Sequence, residues 1–277
     1  MKLRPIIIAF SLMLSFLVAD PLISPAAAQD QDVDSILQKL TQRLETYAEY
    51  DSYTASAVAT VKRMDKNWNP KKVEVVKKEI LHSEDDHQEK IIEACRTEDD
   101  VTTDITEEMR KKQEKMRKKT EKKKKKQEEK KDEEEEDDDD DDDDKAGRRT
   151  MRLGKDELFP FDDKSRQNYA FTRLEDTEID GRPVYAIRSE ARQKSKKLYE
   201  GTYYIDKDTF DAVMVELSPS KNPKFFKQFD FKMTFIVLPG DYFVIKTYWM
   251  RLHVNAIIKK VRIEVEEHYD DYRVKAG

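Results

Sequence analysis

Phe229-Asp230-Phe231-Lys232-Met233-Thr234-Phe235-Ile236-Val237 sets a large apolar side chain at every odd position, against Asp230, Lys232 and Thr234 between them. Successive side chains of a strand point to opposite faces, so this run is a strand with one dry face and one wet face. Leu238-Pro239-Gly240-Asp241 supplies a turn, and a second long strand follows from Tyr242 to Val254. On it Val244, Tyr248, Met250 and Leu252 read as one side, and Phe243, Ile245 and Trp249 as the other. A third run alternates Ile257, Val261, Ile263 and Val265 with Lys260, Arg262, Glu264 and Glu266. Long strands joined by short turns pair antiparallel, because parallel pairing needs a long crossover.

Working back toward the N-terminus, the same signals recur. Tyr169 to Glu178 and Arg182 to Ala191 flank Asp180-Gly181, a strong hairpin turn signal. Leu198 to Asp206 and Ala212 to Leu217 continue the series. Earlier still, Ser56 to Arg63, Val73 to Leu81 and Gln88 to Cys95 form a meander. Asp32 to Tyr50 differs: Val33, Ile36, Leu37, Leu40, Leu44 and Tyr47 recur at the three-and-four spacing of one helical face, with Asp32 or Asp34 as cap. An isolated stripe of that kind needs a surface to cover, and the sheet is that surface. The expected fold class is α+β, a large curved antiparallel β-sheet with one or two helices on its concave side.

Two segments stand outside this pattern. Thr106 to Lys131 is rich in Glu, Lys, Arg and Gln, with Met109 and Met116 as its large apolar residues, and Asp132 to Asp144 is unbroken acid. Opposite charges at helical spacing, such as Glu114 with Lys118, favour a solvated helix at the start. A block of like charge cannot repay the entropy of ordering. Residues 106–147 therefore read as a helical-to-disordered insertion in one domain spanning 29–277. At the other end, Lys2 and Arg4 precede an apolar run from Ile6 to Ala19, which leads to Ala26-Ala27-Ala28. This is the pattern of a secretory signal peptide, residues 1–28, with cleavage after Ala28. Its apolar run is shorter than the ~20 residues of a spanning helix.

Charged residues make up 40% of the 277, yet net charge is only −6, because large local charges of both signs cancel. The lysine-rich segment lacks aromatics for base stacking and adjoins an equal acidic block, so nucleic acid is not the expected partner. Cys95 is the only cysteine, which excludes an intramolecular disulfide. Six glycines, none in a phosphate-cradling motif, leave no dinucleotide site, and no nucleophile elbow is present. His82 and His87 flank Glu84-Asp85-Asp86, where a tight hairpin could set them side by side, but no third spaced metal ligand accompanies them. The expectation is a protein that is not an enzyme, with no cofactor, metal or catalytic residue. What remains is the aromatic and Met-rich sheet face. It reads either as core or, where helices leave it uncovered, as an apolar pocket. Phe231, Met233, Phe235 and Trp249 are its candidate ligand-binding residues; the face that Trp249 shares depends on strand register.

In the order and character of its elements the chain resembles the LolA-like family of exported bacterial proteins, which includes outer-membrane lipoprotein-sorting proteins and periplasmic lipid binders. The resemblance rests on the N-terminal signal, the helix around Ile36-Leu37-Gln38-Lys39-Leu40 and the hairpin Ser56 to Ile80. It rests also on Gly201-Thr202-Tyr203-Tyr204-Ile205-Asp206-Lys207-Asp208-Thr209 and on the closing strands ending in Tyr269-Asp270-Asp271-Tyr272-Arg273. The charged insertion is not part of it. The resemblance implies an open, unclosed β-barrel with helices as a lid and an apolar cavity for a lipid, an acyl chain or a lipoprotein. It also implies a periplasmic location and transient membrane contact at most. The alternative is a cell-envelope interaction or stress-sensor protein that docks an envelope partner through its sheet edge or charged insert.

Overall fold

The computed structural model describes residues 32–83, 87–131, 155–256 and 260–277. The signal peptide expected at residues 1–28 and the acidic run lie outside these residues. All strands belong to one sheet, and every neighbouring pair is antiparallel. In chain order they are β1 (Tyr50–Met64), β2 (Pro70–Ser83), β3 (His87–Glu98), β4 (Val101–Asp104), β5 (Tyr169–Arg173) and β6 (Thr177–Ile179). Then come β7 (Arg182–Ala191), β8 (Tyr199–Asp206), β9 (Ala212–Pro219), β10 (Phe226–Leu238), β11 (Tyr242–Asn255) and β12 (Lys260–Ala276). Helix α1 is Val33–Thr46 and α2 is Thr106–Lys131; two single turns are α3 (Lys155–Leu158) and α4 (Asp163–Arg166).

The spatial order is β4-β3-β2-β1-β12-β11-β10-β9-β8-β7-β5, with β6 paired to β7. The first and last strands thus meet in the middle, and two meanders run outward from them. The sheet does not close: β4 and β5 are its two edges, and residues 105–168 connect one edge to the other. A sheet this wide curls under its own twist and presents a concave face.

Local chemistry explains the elements. Asp32 caps α1 by accepting from the Ser35 backbone N–H at 2.8 Å. Ile36, Leu37, Leu40 and Leu44 form the buried face of that helix. Asp180 and Gly181 both have positive φ, as the two-residue turn between β6 and β7 requires. Gly201 allows β8 and β9 to approach closely: a Cβ there would stand 1.9 Å from the Glu216 carbonyl oxygen. The expected strand Tyr169 to Glu178 is interrupted, giving β5 and β6. The charged segment forms the helix its composition favours, and its first turns dock, with Met109 packing on Val76, Ile91, Ala94 and Ile105.

Candidate binding face

Register defines the concave face residue by residue. Starting on β7, Ile187, Tyr203, Val215 and Met233 pair across β8, β9 and β10. The row continues through Tyr248 and Glu267 to Ala59, Val76 and Ala94 on β11, β12, β1, β2 and β3. Every member is buried. Paired residues of antiparallel strands share a face, so this row is a section through the inside of the curved sheet.

One half of the face is aromatic and lies under α1. Phe231, Met233 and Phe235 are 1%, 6% and 5% exposed and belong to one cluster with Ile36, Leu37, Leu40, Leu44, Phe159 and Phe161. The helix and the Phe159–Phe161 segment fill the space above the strands, so a guest there must displace them. Trp249 falls elsewhere. It pairs with Lys232 and Glu266, on the face opposite Met233 and Tyr248, and lies beside Arg251 with Trp68. A bulge at Lys246 is the reason the sequence division of β11 fails. Thr234 pairs with Thr247 but Phe235 with Ile245, so parity switches and Phe243 and Ile245 join the concave cluster.

Rings run in contact from the sheet edge inward. Tyr169 lies 5.9 Å from Phe171, Phe171 lies 5.7 Å from Phe161, and Phe161 lies 4.9 Å from Tyr203. Phe159 continues the path, 6.2 Å from Phe161 and 5.7 Å from Phe235, and Phe235 stacks on Phe243 at 4.8 Å. At the outer end Tyr169 and Phe171 line an open cleft of about 390 Å³ with Asp34, Asp163, Arg166 and Arg192.

Polar contacts clasp α1 at both ends. Near its start Asp34 pairs with Arg166. Near its end Arg43 and Tyr47 donate to Asp211 at 2.6 and 2.8 Å. Asp211 belongs to the turn after β8, which Asp206 shapes by accepting from the backbone N–H groups of Asp208 and Thr209. The Tyr-Ile-Asp segment singled out in the sequence therefore positions the anchor of the helix.

The other half of the face, β12-β1-β2, has a different chemistry. Small residues Ala55, Ala57 and Ala59 floor it, and Tyr53, Tyr269 and Tyr272 stand beside them, half-buried. In their midst lies an ion pair of Lys78 and Glu267 at 2.8 Å, with side chains 10% and 6% exposed. Burial opposes the Lys78 charge, but Glu267 and Glu89 together hold the ammonium above its ordinary range. Sequence reading missed this pair; a lysine and a glutamate in alternating strands look like any solvated positions. His82 and His87 do come together, with ring centroids 5.7 Å apart. Among the described residues no group of three potential metal ligands forms, and no helix is long and apolar enough to cross a membrane.

The structure defines the class of protein: an open antiparallel sheet with a helix laid over an apolar concave face. No protein-family model matches the chain, and no curated protein matches it closely. Among solved structures, the chain is similar to a domain from Vibrio parahaemolyticus named for outer membrane lipoprotein sorting, at 13% identity and a TM-score of 0.36, over 87% of this chain and 92% of that one. It is similar also to a LolA superfamily protein from Nitrosomonas europaea, at 11% identity and a TM-score of 0.36, over 89% and 95% of the two chains. A third likeness is to the MucA/MucB complex of Pseudomonas aeruginosa, at 11% identity and a TM-score of 0.25, over 89% and 100%. Likenesses this distant carry no functional argument.

Proposed function

We propose that this protein is an exported, non-enzymatic binding protein of the bacterial periplasm that holds an acyl chain, of a lipid or a lipoprotein, between α1 and the aromatic half of its sheet. Phe231, Met233 and Phe235 form the floor of the site, and α1 is the lid. The observation that carries this reading is the continuous path of rings from the open cleft at Tyr169 and Phe171 to Phe235 beneath the helix. Only apolar contact and a few polar clasps hold the lid down, so an acyl chain can replace the underside of α1 with little loss of buried apolar area. Trp249, on the outer face, takes no part.

Purified protein should carry lipid detectable by mass spectrometry and should bind a fluorescent fatty acid; failure of both ends this reading. A second reading, docking of an envelope protein, is favoured by the exposed edge strand β4, whose Val101 is 64% exposed. An unpaired edge accepts an added strand. Val101→Lys, which blunts this edge, separates the two, since fatty-acid binding should survive and partner binding should not.

A further inference from the structure

We infer that the Glu267 carboxylate, with the tyrosines around it, is the head-group site for an amphiphilic cation whose tail lies under α1; this rests on the acyl-binding reading above. Glu267 is the one charged member of the buried row, next to Tyr248, which is itself next to Met233 of the apolar half. A tail on Met233 and Phe231 therefore brings its head to Tyr248 and Glu267 without leaving the concave face.

Three features select a cation. Lys78 is held by two carboxylates, Glu267 and Glu89, each at 2.8 Å, so the cluster has an excess negative charge. Glu89 can keep Lys78 paired while Glu267 turns to a guest, which spares the large cost of a stranded buried ammonium. Second, the Tyr248 hydroxyl, on the residue paired with Glu267, is buried without a hydrogen-bond partner. Such an atom is costly to bury, and an ammonium N–H can donate to it. Third, Tyr53 and Tyr272, with ring centroids 5.4 Å apart, and Tyr269 border the carboxylate, and aromatic faces attract cations.

The test uses three monomeric probes of equal tail length: dodecylammonium, dodecyl maltoside and dodecyl sulfate, titrated by calorimetry into the whole chain. The expected result is an affinity for dodecylammonium about tenfold above that for the maltoside, with the sulfate weakest, and loss of the ammonium preference in Glu267→Gln. Should that variant fail to fold, Tyr248→Phe, which keeps the ring, must still narrow the gap between ammonium and maltoside. Equal affinities for the three heads, or preference for the sulfate, overturn the cation site and leave acyl binding standing. Absence of binding by all three overturns both.

Discussion

Arg43 Nε lies 2.6 Å from Asp211 Oδ1, and this bond fastens the last turn of α1 to the turn between β8 and β9. The same carboxylate accepts from the Tyr47 hydroxyl, and its other oxygen from Thr209. Replacing Asp211 by alanine removes three hydrogen bonds to a carboxylate, one of them also an ion pair, at a partly buried site. The expected loss is about 2 kcal/mol by urea unfolding. Amide exchange over residues 33–46 should quicken, and a fluorescent fatty acid should associate faster, because the lid opens more readily. Unchanged exchange would show that the apolar underside alone holds the helix.

Phe231 has the larger stake in both stability and binding. It is almost fully buried, and its ring meets Tyr199 at 5.6 Å and Phe229 at 6.1 Å. Phe231→Ala should cost about 3–5 kcal/mol and weaken acyl binding, since the floor loses its largest contact. Trp249→Phe, on the opposite face, should leave fatty-acid affinity as it is. A fall in affinity on that change would move the site to the outer face.

At Gly201 the backbones of β8 and β9 leave no room for a side chain. Gly201→Ala forces a Cβ against the Glu216 carbonyl, at φ +153°. Thermal unfolding should register a loss of about 3 kcal/mol or more. A near-neutral result would mean that the two strands slide apart easily.

Acid should weaken the fold in two stages. Burial holds the His82 imidazole below its ordinary 6.5, aided by His87. The neutral ring is the native form, so stability is lost as pH falls below 6.5. Glu89 behaves in the opposite sense at lower pH. Burial opposes its charge, but hydrogen bonds from His87 and Lys78 bring its pKa down from 4.5 to about 2. Its contribution is complete above pH 4.5 and disappears as pH drops toward 2. Urea midpoints measured from pH 8 to pH 2 should show both declines, and Glu89→Gln should make the lower one shallower.

Period-two alternation in residues 229–237 was enough to fix antiparallel strands, and the three-and-four stripe from Val33 to Tyr47 was enough to fix α1 and its buried face. Asp180-Gly181 set its hairpin because only a few residue pairs tolerate two positive φ values in succession. These are local rules, in which neighbouring residues contain the whole cause. Strand order is another matter: nothing near Tyr50 or Ala276 says that the first and last strands pair in the centre of the sheet. Register likewise decided the face of Trp249, since one bulged residue, Lys246, reverses every side chain beyond it. The meeting of Lys78, Glu89 and Glu267 was invisible for the same reason. Their burial comes from curvature summed over many strands, and no single stretch of chain contains that sum.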